Sequence, residues 1–172
     1  NIANFVIIYY YIIFYHFMSV NTLNKINTKQ ISLLQVLPHL NSGGMVSGAI
    51  EIANFLKKAG GKSVLVSSGG YRENEVIKHN CISIHLPMET KNPISIYRNK
   101  KKLIEIIKEH KINIIHARSR APAWSAYLAA KNLNKLFVTT FHGTYGTESL
   151  LKKKYNAVML KGDSVIAISE FI

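Results

Sequence analysis

From Gln30 to the end of the chain, short apolar runs of strand length alternate with stretches of helical spacing, and no other feature limits the fold so tightly. Residues 31–37 form an apolar run suited to a strand buried on both faces. Residues 42–59 place Met45, Ala49, Ile52, Ala53 and Leu56 at helical spacing; Lys57 and Lys58 suit the last turn, and Gly60 and Gly61 end it. Residues 63–67 and 82–85 read as a second and third strand, with a turn and one short helix over 69–80 between them. Ile96, Tyr97, Leu103, Ile104 and Ile107 trace a further helix face. A fourth strand is expected over 112–116, followed by a helix with Pro122 near its first turn. Residues 136–141 give a fifth strand, 148–160 a helix stopped by Gly162, and 164–168 a sixth strand. Repeated strand–helix–strand units of this length predict an α/β fold, a Rossmann-like parallel sheet with helices on both faces. In such a sheet a ligand lies beyond the carboxyl ends of the strands where strand order reverses. For the order 3-2-1-4-5-6 that point falls between the first and fourth strands.

Composition removes whole classes of chemistry. Asp163 is the only Asp, so Asp-x-Asp metal sites and paired-Asp catalysis are excluded. Cys81 is the only Cys, which excludes an internal disulfide, Cys-based zinc sites and a Cys-x-x-Cys pair, and fits a cytoplasmic location. The net charge of +13 rests on 18 Lys in a chain also rich in Ile and Asn, so it does not by itself call for an acidic partner. The length of 172 residues suits one domain. We divide it into an apolar N-terminal extension over 1–17, a polar linker over 18–29 and the α/β domain over 30–172. The extension has no formal charge but is short for a membrane span, which needs roughly 20 apolar residues; a membrane anchor is the alternative reading.

Several residue types collect where the strands should end. After the first strand comes Pro38-His39-Leu40-Asn41-Ser42-Gly43-Gly44-Met45-Val46-Ser47-Gly48, leading into a helix. Glycines there let backbone approach a ligand, and a helix N-terminus offers N–H groups to an anion. The spacing is neither the dinucleotide fingerprint nor a Walker A loop. The fourth strand closes on His116-Ala117-Arg118-Ser119-Arg120 and the fifth on Phe141-His142-Gly143-Thr144. Three His and two Arg are therefore expected at one sheet edge, with no local spacing that supports zinc. The basic runs Arg98-Asn99-Lys100-Lys101-Lys102 and Lys152-Lys153-Lys154 read as solvated helix faces or as attraction to an anionic membrane surface. Aromatic residues are not interleaved with them, so nucleic acid is not an expected partner.

In order along the chain, four blocks resemble a bacterial family 4 glycosyltransferase, most nearly of the lipopolysaccharide or capsule type. They are Pro38 to Ala49, the stretch His116-Ala117-Arg118-Ser119-Arg120-Ala121-Pro122-Ala123-Trp124, Thr139-Thr140-Phe141-His142-Gly143, and Val165-Ile166-Ala167-Ile168-Ser169-Glu170-Phe171. The resemblance implies the N-terminal, acceptor-side lobe of a GT-B fold, whose C-terminal lobe holds a nucleoside diphosphate sugar. The motifs of that second lobe are missing from this sequence, so the resemblance implies a truncated or split fragment that is inactive alone. Carried over, it puts Gly43 and Gly44 under the donor phosphates or acceptor. His142 would stand beside the donor sugar as the catalytic-site residue, Gly143 would keep its turn tight, and His116 and Arg118 would face the acceptor. The implied chemistry is retaining sugar transfer without a metal or other cofactor, to a cell-envelope glycan or lipid acceptor, in the cytoplasm or peripherally at the inner membrane. The competing reading is a non-catalytic remnant or a peripheral membrane-binding module.

Overall fold

Alternating burial along each strand shows how the sheet is covered. In β1 (Ser32–Val36), Leu34 and Val36 join one core while Leu33 and Gln35 face the other side, and all four are buried. The computed structural model describes residues 27–146 and 149–169. The expectations for residues 1–17 and for nearly all of 18–29 lie outside them. The last residues of the expected linker are docked rather than free: Thr28–Gln30 form a 3₁₀ turn, and Thr28 Oγ1 donates to the Ala59 carbonyl at 2.5 Å.

Among the described residues, six parallel strands form one sheet in the order β3-β2-β1-β4-β5-β6. The others are β2 (Lys62–Ser67), β3 (Ile82–His85), β4 (Ile114–Ala117), β5 (Leu136–Phe141) and β6 (Ser164–Ala167). The helices are α1 (Gly44–Lys58), α2 (Glu73–Lys78), α3 (Pro93–Glu109), α4 (Arg120–Leu133) and α5 (Leu150–Asn156), the last running into a 3₁₀ turn over Ala157–Leu160. One face of the sheet packs on α3 and α4 through Leu103, Ile107, Ala123, Ala126 and Ala130; the other meets α1 through Ala49, Ile52, Ala53 and Leu56. Strand order reverses between β1 and β4, which leaves a crevice at their carboxyl ends.

Three elements differ from the periodic reading. The buried face of α3 is Asn99, Leu103, Ile106 and Ile107, while Tyr97 is 53% exposed under Lys100 and Lys101. A buried Asn is invisible to a hydrophobic period; its Nδ2 donates to the Pro87 carbonyl at 2.9 Å. β4 starts at Ile114 because Asn113 caps the strand edge, donating from Nδ2 to Gln30 and accepting from the Ser32 N–H. The expected helix over 148–160 has its first residue outside the described chain, and the rest divides at Asn156. There the 3₁₀ turn brings the Met159 carbonyl to Thr139 Oγ1, 2.6 Å away.

Candidate functional site

The loop that leaves β1 is drawn tight before it reaches α1. Leu40 donates to the Gly69 carbonyl and accepts from the Arg72 N–H, so the loops after β1 and β2 are stitched together. A Cβ on Gly70 would stand 2.3 Å from the Leu40 carbonyl carbon, a close approach that only glycine permits. At the end of that loop Gly43 adopts φ +109° and ψ 159°, a conformation nearly confined to glycine. It begins α1 without a side-chain cap, and the first turn carries no acid. Among the described residues, a Cβ built on Gly43, Gly44 or Gly143 would meet nothing within 4 Å.

Beneath this loop lies Arg118, 1% exposed. Its Nε donates to Gln35 Oε1 at 2.8 Å, and its Nη2 and Nη1 reach the Gly48 and Met45 carbonyls at 3.3 and 3.5 Å. Gln35 in turn donates to the Ala49 carbonyl at 2.9 Å. The pair follows from register: Gln35 is aligned with His116 across the β1–β4 pairing, and Arg118, two residues on, folds back over the strand end. Arg118 thus ties β4, β1 and the first turns of α1 into one unit.

His116 is fully buried in β4, and its Nε2 shares a hydrogen bond with Thr140 Oγ1 of β5 at 2.7 Å. Burial, with the nearby charge of Arg118, holds its pKa well below the usual value. His142 follows the end of β5 and is partly buried. Among the described residues its buried Nε2 meets no hydrogen-bond partner. Burial, and then the Arg118 charge, lower its pKa to about 4. At neutral pH it is an uncharged imidazole, able to exchange a hydrogen bond with a hydroxyl group but not to neutralise an anion.

The sequence-predicted residues divide accordingly. Gly43, Gly44, His142 and Gly143 lie at the carboxyl edge of the sheet, whereas His116 and Arg118 are buried beneath it. Arg120 turns away into the loop after β5, its guanidinium 4.2 Å from the Tyr145 ring centre. His39 is partly buried in the β1 loop, with Nδ1 buried and unbonded among the described residues. Sequence reasoning missed Gln35 and Thr140, polar residues inside apolar strands; a Gln within a run of Leu and Val was the available signal. Among the described residues no three His, Cys, Asp or Glu side chains are grouped so as to hold a metal ion. The single Asp is engaged at the opposite end of the sheet, where Asp163 Oδ2 accepts from the Phe137 N–H at 2.8 Å.

Residues 42–172 match the sequence pattern of Glycosyltransferase Family 4. The chain belongs to that family. A glycosyltransferase from Rickettsia africae ESF-5 is 44% identical, with a TM-score of 0.71, over 82% of this chain and 37% of that one. MurG of Acinetobacter baumannii (14% identity, TM-score 0.60) and Alr3699/HepE of Anabaena, solved with UDP and glucose (16%, 0.63), share the fold. They are covered over 41% and 39% of their lengths, against 80% and 82% of this chain. Comparison with curated proteins gives no match. This family 4 chain thus spans about two fifths of the length of these three solved structures, and its sheet is a Rossmann-like lobe of GT-B type.

Proposed function

We propose that this chain is the acceptor-side lobe of a retaining, metal-independent glycosyltransferase of the lipopolysaccharide or capsule type. It would move a sugar from a nucleoside diphosphate to a cell-envelope glycan or lipid. The observation that carries the reading is His142: a neutral imidazole with an unbonded Nε2, at the carboxyl end of a strand, beside a glycine turn open to space. In this reading His142 hydrogen-bonds a hydroxyl of the donor sugar, and Gly143 keeps the turn narrow. Gly43 and Gly44 admit the donor phosphates or the acceptor to the start of α1, where backbone N–H groups favour an anion. His116 and Arg118 act on the acceptor side from below, by fixing what the ligand touches. Charge on the departing diphosphate is met by the helix start and by basic groups of the second lobe.

We place the protein in the cytoplasm with peripheral contact at the inner membrane. Among the described residues no helix is long and apolar enough to cross a membrane. Leu150 and Leu151, exposed at 77% and 80% next to Lys152-Lys153-Lys154, support surface contact.

The test joins this lobe to a family 4 nucleotide-sugar lobe. His142→Ala should lower turnover by about 100-fold or more while moving the melting temperature by only a few degrees. Equal loss of folding and activity would make His142 structural. The anomeric configuration of the product, read by NMR, tests retention. The 172-residue chain by itself should transfer no sugar, since one lobe supplies one wall of the cleft.

A further inference from the structure

Beside His142 the structure holds a cavity of about 420 Å³, a size typical of small-molecule sites. Phe141 and Gly143, the residues on either side of His142, contribute to its wall. Its shape is set by packing. The Phe141 and Tyr145 rings lie 5.1 Å apart, and Arg120 stands over Tyr145. Asn156 bridges the two sides, accepting from Arg120 Nη1 and donating to the Gly146 carbonyl, each at 2.9 Å. Both ends of that amide are occupied, and one face of Tyr145 is covered by Arg120. Little of the polar surface that a sugar ring would use is left. What remains is mostly hydrocarbon and ring surface: Phe141, Tyr145, Ala157 and Leu160. Lys153 also lines the cavity, and among the described residues none of the lining carries a carboxylate. At the rim Leu160 is 69% exposed.

We infer that this cavity takes the hydrocarbon chain of an acidic amphiphile, a lipid phosphate, with Lys153 facing its phosphate. The inference rests on the acceptor-side reading above and narrows the acceptor to a lipid. An apolar cavity at the end of β5 places the chain's polar end toward His142, where transfer would occur. Lysine supplies the complementary charge.

The test uses the 172-residue chain and farnesyl phosphate below its aggregation concentration, with farnesol and inorganic phosphate as comparators. Trp124, the chain's only Trp, donates from Nε1 to the Tyr155 carbonyl on α5 and reports binding by fluorescence. Farnesyl phosphate should bind saturably, farnesol about tenfold more weakly, and inorganic phosphate should not compete at equal concentration. Ala157→Leu, which fills the cavity, should weaken both farnesyl ligands by about tenfold or more. Lys153→Gln should remove the difference between them. Leu160→Gln, at an exposed position, gives a second cavity variant should Ala157→Leu fail to fold, and should also weaken both.

Four results overturn the inference: no binding by the unaltered chain, equal competition by inorganic phosphate, or binding indifferent to both cavity variants. The fourth is binding that appears only after residues 1–17 are deleted, which makes the cavity's occupant this chain's own apolar segment. Partition into phosphatidylglycerol vesicles that ignores both cavity variants would count as the third result and identify a membrane surface. The two readings fail separately. Loss of lipid binding with transfer to a water-soluble glycan intact in the two-lobe protein removes only the lipid assignment. Intact lipid binding without any transfer removes the glycosyltransferase reading.

Discussion

His142 and His116 each trade proton affinity for burial, and that trade is measurable in stability. Burial and the Arg118 charge depress both pKa values, His142 to about 4. In the unfolded chain an imidazole titrates near 6.5. Between those values the unfolded state binds more protons, so stability rises with pH. The contribution is complete above about pH 6.5 and is lost as pH falls toward 4. For His142 the loss is of the order of 3 kcal/mol. Melting temperatures measured from pH 7 to pH 4 should therefore fall, and His142→Asn should flatten part of that fall. A profile unchanged by the substitution would mean that His142 titrates normally. That these residues sit at a strand end was legible from the sequence. Their orientation was not, because a side chain's face depends on which strand pairs with which. Gln35 against His116, and Arg118 reaching back to Gln35, exist only once β1 and β4 are neighbours.

At the level of elements, the start of α1 separates two kinds of glycine. Gly43 is required by its backbone, with φ at +109°; Gly44 has helical geometry and an open flank. Gly43→Ala should cost about 1–3 kcal/mol, seen as a lower urea midpoint. Gly44→Val should cost less than about 1 kcal/mol yet fill the route by which a ligand reaches the helix start. Weaker binding of a nucleoside diphosphate sugar by the two-lobe protein carrying Gly44→Val, at near-unchanged stability, is the expected result. Unchanged binding would remove this loop from the site. The Gly-Gly pair was readable as a turn before a helix, but its division of labour was not, since it lies in the dihedral angles. The same limit explains α3 and α5. Hydrophobic spacing found both helices but put Tyr97 on the inward face of one and missed the break in the other. In each case an Asn side chain bonded to backbone made the difference.

For the whole molecule, the predicted strand order is the observed one, because apolar runs joined by helical crossovers leave few right-handed arrangements. The same sheet predicts what removal of residues 1–17 should do. Among the described residues the packed cores are assembled from residues 33–166; the truncated chain should melt at the same temperature and stay more soluble, since the sequence of residues 1–17 is dense in Ile, Tyr and Phe. Fractionation of cells expressing both forms checks this. If only the longer form pellets, and detergent rather than salt releases it, residues 1–17 are a membrane anchor.

Arg118 has a consequence for how such a site can diverge. One side chain braces the start of α1, where the glycine loop enters it, through the Met45 and Gly48 carbonyls, and its charge adds to burial in lowering the proton affinity of His142. A substitution that reshapes the loop to suit a new ligand thereby alters the imidazole on the other side of the crevice. Changes at the two places are epistatic: their order of appearance matters, and a variant harmful alone can become tolerable once Gln35 or Gly48 has changed. Descendants of this lobe are expected to change the glycine loop and the surroundings of His142 together rather than one at a time.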